Sequence, residues 1–137
     1  MGRTSNPGAD ELQDLEIDGQ KLYISLVNNI LKEWNVNGNC LIVVGATQPA
    51  ELAEVRKAAG DEMVFLVPGI GAQGGDVEAT VRAGANSQGK GIIVNSSRDI
   101  IYASQGEDFA EAAKARATAV RDEIIRYRGV SDESSSS

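Results

Sequence analysis

A chain of 137 residues has room for one domain, and 42% apolar with 24% charged residues is ordinary globular composition, which excludes collagen, a disulfide mini-protein and wholesale disorder. Thirteen basic against twenty acidic side chains give −7 with no basic cluster, which argues against nucleic-acid binding, because neutralising phosphates takes grouped Lys and Arg. With no histidine and a single cysteine, Cys40, the commonest general base, nearly every zinc site and any intrachain disulfide are excluded.

No apolar run approaches the ~18 residues of a membrane span, and the opening Met1-Gly2-Arg3-Thr4-Ser5 lacks the apolar core of a leader. A lone cysteine fits a reducing compartment, so a cytoplasmic location without membrane contact is expected. Residues 1–19 are polar and turn-rich, with Asn6-Pro7-Gly8 the clearest loop signal. From Gln20 a helical pattern begins. Tyr23, Leu26, Val27, Ile30, Leu31 and Trp34 recur at three and four residues and predict one buried face. Asn-Gly chemistry at residues 35–39 closes that helix. Residues 40–44 are a short apolar run of the kind parallel sheets cover on both faces.

Pro49 suits a first helical position, and Leu52, Val55 and Ala59 carry a helix to a C-cap at Gly60. A second strand is predicted over 63–67, stopping at Pro68-Gly69. After the glycine-rich segment 69–75, Asp76 is placed to cap a helix carrying Val77 and Val81 that ends near Gly84. The third strand is Ile92-Ile93-Val94, followed by Asn95-Ser96-Ser97-Arg98. In the last helix Ser104 and Glu107 have capping-box spacing. Phe109, Ala113, Ala117, Val120, Ile124 and Tyr127 form its stripe, and Gly129 ends it. Residues 130–137 are serine-rich and acidic and read as a disordered tail. Regular alternation of strands and helices predicts an α/β fold with a parallel sheet and right-handed crossovers. A full (β/α)8 barrel takes ~250 residues, about twice this length.

Glycines at 69, 71, 74 and 75 lie between a strand and a helix. There they let the backbone approach an anion, with free N–H groups of the next helix behind them and the Gln73 amide as a further donor. No Gly-Lys-Ser/Thr follows, and the Gly-x-Gly-x-x-Gly spacing comes too late in the chain for a dinucleotide fingerprint. On the glycines alone, a tight strand-to-helix turn fits equally well. Asn95-Ser96-Ser97-Arg98 shifts the balance, because it offers hydroxyls and a guanidinium at the equivalent end of the next unit. Loops after the last two strands of a barrel commonly bind phosphate, and arginine does so in bidentate fashion. The competing reading of Arg98 is a solvated charge beside Asp99.

Arg3-Thr4-Ser5-Asn6-Pro7-Gly8, Val44-Gly45-Ala46-Thr47, Val67-Pro68-Gly69-Ile70-Gly71-Ala72-Gln73-Gly74-Gly75 and Asn95-Ser96-Ser97-Arg98 together resemble orotidine 5′-phosphate decarboxylase, in that family's order, over residues 3–128. The resemblance implies a (β/α)8 barrel that acts as a homodimer, needs no cofactor or metal, and makes UMP from orotidine 5′-phosphate in pyrimidine synthesis. It implies that Ser5 hydrogen-bonds the pyrimidine. Gln73, Gly74, Gly75, Ser97 and Arg98 would bind phosphate, while Pro68 and Gly69 would line the pocket wall.

The family's proton donor and charge array, an Asp-x-Lys-x-x-Asp motif, has no counterpart at Lys21, Lys32, Lys57, Lys90 or Lys114. The expectation is therefore the C-terminal half of a decarboxylase barrel over residues 1–128, with residues 129–137 as tail. Such a chain carries no catalytic residues of its own. It would be completed by the N-terminal half of the barrel or by a homodimer, or else serve as a non-catalytic phosphate- or nucleotide-binding half barrel. A sugar-phosphate lyase fits the serine loop poorly.

Overall fold

The computed structural model describes residues 8–71 and 75–129. A short helix α1 (Ala9–Gln13) leads into a two-stranded antiparallel ribbon, β1 (Glu16–Ile17) with β2 (Gln20–Lys21). Then follow α2 (Leu22–Asn29) with a π-helical turn (Ile30–Trp34), β3 (Leu41–Val43), α3 (Pro49–Ala59), β4 (Val64–Pro68) and α4 (Val77–Gly84). The chain closes with β5 (Ile92–Asn95), α5 (Arg98–Ile101) and the long α6 (Phe109–Tyr127). The larger sheet is parallel in the order β3-β4-β5, with α3 and α4 as crossovers. No helix among the described residues is long and apolar enough to cross a membrane.

Register divides the sheet into two unequal faces. Ile42 lies beside Phe65 and Phe65 beside Ile92, while Val67 pairs with Val94. These residues, with Val44, meet Tyr23, Val27 and Ile30 of α2 and its π turn and Leu52, Val55 and Ala59 of α3 in one core. The opposite rows are Leu41–Val64 and Val43–Leu66–Ile93. There Leu41 is 48% exposed and Ile93 is 50% exposed. The strands are apolar on both faces, as the sequence predicts, but only the helix-side face is covered.

Several local expectations hold. Asp76 caps α4 by accepting the Ala79 N–H at 2.7 Å, Pro49 opens α3, and Gly60 closes it at φ 74°. Others are corrected. The predicted opening loop contains α1 and the ribbon, turned by Asp18 at φ 55° and Gly19 at φ 75°. Asp-Gly with positive φ at both positions is the chemistry of a tight hairpin turn. Gln20 and Lys21 belong to that ribbon, so the helix starts at Leu22. Trp34 is 60% exposed. The Asn35 N–H donates to Ile30 O at 2.8 Å, five residues back, so the widened turn shifts Trp34 off the helix's apolar phase.

The capping box does not form either. Ser104 Oγ donates to Asp108 Oδ1 at 2.6 Å and accepts the Gly106 N–H at 3.1 Å, stabilising the turn before α6. Of the α6 stripe only Val120 is buried, and Phe109, in the first turn, is 62% exposed. Ala117, Val120 and Ile124 face Val94 and Ile100 across an open cleft of about 370 Å³. The predicted tail at 130–137 lies outside the described residues.

Two polar clusters tie the helices down. Tyr23, buried in the core, donates its hydroxyl to the Glu54 carboxylate, with Lys21 Nζ 3.2 Å from both groups. Burial first, and the Glu54 hydrogen bond second, push the phenol up to about 12. At the entry end of the sheet, the Arg56 guanidinium donates to four carbonyls, Gly84 at 2.8 Å, Gly60 at 2.9 Å, Met63 at 2.7 Å and Gly91 at 2.9 Å. Arg56→Met keeps the stem but leaves those acceptors without their donor, so it should destabilise the chain by about 3–5 kcal/mol in a urea titration. The open sheet face and the edges of β3 and β5, unpaired among the described residues, give a second expectation. In sedimentation at micromolar concentration the chain should self-associate, and a discrete monomer would contradict it.

Candidate functional site

The candidate site is built at the C-terminal ends of β3, β4 and β5, where parallel sheets place their ligands. Pairing continues past the strands. The Ala46 N–H donates to Pro68 O at 2.9 Å, and Pro68 lies beside Asn95 in the register. The predicted wall residues Pro68 and Gly69 therefore stand between two neighbouring strand ends.

The glycine segment closes on itself. The Gly75 N–H donates to Gly69 O at 3.1 Å and the Gly71 N–H to Gly75 O at 3.3 Å, with a parallel bridge between Ile70 and Gly75. Ile70, 3% exposed, anchors the segment in the core. A Cβ on Gly75 would fall 2.5 Å from Gly69 O and 3.0 Å from Ala46 Cβ, so that position has no room for a side chain. A second strut comes from β5, where buried Ser96 donates its hydroxyl to Ile70 O at 3.2 Å.

Two features differ from the sequence reading. The Gly75 N–H is engaged by Gly69 O, so Gly75 closes the loop and its own donor is directed inward. The first turn of α4 is likewise occupied by its own anion, the Asp76 carboxylate. At the end of β5, Arg98 opens the short helix α5. Ser97 and Arg98 are exposed, and the Arg98 side chain makes no hydrogen bond or ion pair with any other described residue. The predicted residues Pro68, Gly69, Gly75, Ser97 and Arg98 thus gather at one end of the sheet. Gln73, Gly74 and Ser5 lie outside the described residues.

Sequence reasoning passed over Asp99, whose carboxylate takes a 2.7 Å hydrogen bond from Nε of Arg116. The partners are 17 positions apart, which no local pattern marks. Lys90 precedes β5 and so lies at the opposite end from Arg98. No cluster of three metal-ligating side chains occurs among the described residues. The arrangement offers a cation, a hydroxyl and a narrow backbone bend, which suits an oxyanion.

Comparison with known proteins gives concordant matches. Residues 2–115 match the family model described as orotidine 5′-phosphate decarboxylase / HUMPS family. The chain is 57% identical over 126 residues to orotidine 5′-phosphate decarboxylase of Azoarcus sp. (strain BH72), covering 92% of this chain and 46% of that protein. It matches the C-terminal portion of such relatives and spans about half their length. Among solved structures it resembles Leishmania donovani UMP synthase, with TM-score 0.78 and 41% identity over 92% of this chain and 26% of that one. Leishmania donovani OMP decarboxylase gives TM-score 0.72 and 36% identity over 90% of this chain and 46% of that one. The three parallel strands and their helices are thus consecutive units of a partial (β/α)8 barrel.

The closed glycine loop yields a stability test. Gly75→Ala should lower unfolding free energy by about 1–3 kcal/mol, the usual range for overpacking, because its methyl meets backbone that cannot yield cheaply. Chemical denaturation checks it, and an unchanged midpoint would mean the loop opens without cost.

Proposed function

The chain belongs to the orotidine 5′-phosphate decarboxylase / HUMPS family, and from that membership we propose that it is the phosphate-gripping part of a decarboxylase converting orotidine 5′-phosphate to UMP and CO2. The observation that carries this reading is Arg98, exposed and without an ion-pair partner among the described residues, at the end of the strand next to the one that leads into the glycine loop closed by Gly75 and Gly69. On this reading Arg98 and Ser97, together with Gln73 and Gly74, bind the 5′-phosphate. Ser5 contacts the pyrimidine, while Pro68 and Gly69 form the wall.

Loss of CO2 from C6 of the ring leaves an electron pair in an sp² orbital with little resonance stabilisation. A fixed array of charges must favour that transition state over the substrate carboxylate, and an acid must then deliver a proton to C6. The lysines of this chain lack the Asp-x-Lys-x-x-Asp spacing. The array and the acid therefore come from the N-terminal half of the barrel, within a homodimer in the cytoplasm, without a cofactor. What this chain supplies is binding energy from the non-reacting phosphate, which holds the ring in register with the charges. The missing lysine motif also favours a second reading, a non-catalytic phosphate- or nucleotide-binding half barrel.

Two measurements separate the readings. The chain alone should show no decarboxylation in an absorbance assay, and turnover should return when the N-terminal half of a relative is co-expressed. Failure to return favours the binding module. Calorimetry should show UMP binding that Arg98→Ala weakens by about 1.5–3 kcal/mol, the range for a hydrogen bond to a charged group. Equal affinities would remove Arg98 from the site.

A further inference from the structure

One side chain bridges the two loops that carry the candidate phosphate ligands. Asp99 follows Arg98 in α5. Its carboxylate lies so close to Gly71 that a Cβ there would fall 2.6 Å from Oδ2 and 2.8 Å from Cγ. Gly71 thus has two reasons to lack a side chain, its φ of 77° and the space that Asp99 fills. The same Oδ2 accepts the hydrogen bond from Nε of Arg116 in α6, and the two side chains are only 24% and 33% exposed. Contact therefore runs from α6 through α5 to the bend of the glycine loop. Ser96, hydrogen-bonded to Ile70 O one residue earlier in that loop, makes a parallel connection.

Electrostatics give this contact a second consequence. A carboxylate one residue from Arg98 is a poor neighbour for a bound anion. Without a partner it would repel the phosphate and compete for the Arg98 guanidinium. Arg116 neutralises that charge in place, and a pair this shielded is screened less by salt than an exposed one.

We propose that Asp99 and Arg116 are a positioning pair for the phosphate site. Asp99 sets the bend at Gly71, and Arg116 holds that carboxylate so that Arg98 stays available to the phosphate. The inference rests on the reading of Arg98 as a phosphate ligand, and neither member of the pair touches the phosphate.

The test is calorimetric titration of the whole chain with UMP and with inorganic phosphate at one ionic strength, with a thermal melt of each variant. Arg116→Gln should weaken UMP binding roughly ten-fold, within the range for coupled neighbours. Adding Asp99→Asn to that variant should recover most of the loss, because it removes the stranded charge. Arg116→Lys should stay near wild type. A purely structural pair predicts the reverse for the double variant, which would then bind no better than Arg116→Gln. Asp99→Asn alone, nearly isosteric, should bind as tightly as wild type or more tightly. A ten-fold loss there overturns the proposal even if Arg116→Gln does not fold. Wild-type affinity in Arg116→Gln, or no recovery in the double variant, also overturns it, while loss of binding in Arg98→Ala keeps the site reading intact. If Arg98→Ala binds UMP like wild type, or wild type binds none, the site reading fails and this inference falls with it.

Discussion

One guanidinium organises the entry end of the sheet. Arg56 is 9% exposed and has no carboxylate in its grip. It spreads its N–H groups over carbonyls from four places in the chain, the end of α3, the approach to β4, the end of α4 and the approach to β5. Its Cζ lies 3.8 Å from the centre of the Phe65 ring, so the planar cation also stacks on the core. Two of those carbonyls, at Gly84 and Gly60, belong to helix ends that would otherwise carry unsatisfied acceptors. Burial lowers the Arg56 pKa and Asp61 opposes that shift, and a guanidinium has ample margin to stay charged. Lysine could not replace it, since an ammonium has no fork to hold several segments at once.

With the entry end fixed in this way, the exit end is free to be irregular. A Cβ at Gly91 would fall 3.2 Å from Nη2 of Arg56, so even the residue before β5 is shaped by the clamp. Asn86 and Ser87 bond to Asp61 and complete the same layer. At the far end of β4, strand pairing dissolves into the loop of Gly69 to Gly75, whose closure depends on two backbone hydrogen bonds and one serine hydroxyl. The Arg56 clamp and the candidate site thus occupy opposite ends of the same three strands, the division known for barrels in general.

The sequence made this arrangement legible where local chemistry determines it. The apolar runs ending at Val44, Val67 and Val94 could hardly be anything but parallel strands, and Asp76, Pro49 and Gly60 announce helix ends through backbone rules that need no distant partner. Of the loop motifs, those after Val44, Val67 and Val94 fall at one end of the sheet, so their common placement could be read from the chain. Reading failed where the deciding contact is remote or where phase slips. Trp34 has perfect helical spacing and still turns outward, because one π turn breaks the period. Ser104 and Glu107 have capping-box spacing, yet Ser104 serves a turn with Asp108 instead. Asp99 looked like a neighbour of Arg98 with no further role, and only the fold shows that it belongs to Gly71 and Arg116.

On the proposed function, the packing explains how phosphate recognition could reside in these units while the chemistry is supplied from elsewhere in the barrel. The contacts that shape the described part of the candidate site are all made among the ends of three neighbouring β/α units. Gly75 meets Gly69 and Ala46, Ser96 meets Ile70, and Asp99 meets Gly71 and Arg116. Such a site needs only β3, β4 and β5 paired side by side, and it draws on the helix-side core formed by their buried residues. Stabilising a carbanion demands something different, charges that converge on one carbon from across the barrel, with water excluded around them. The inner face of this sheet offers Leu41, Val43, Val64, Leu66 and Ile93, and none of the described strand residues on it is charged. On the proposed function, that apolar half-surface walls the reacting ring, and the reacting charges stand on the strands that would close the barrel opposite it.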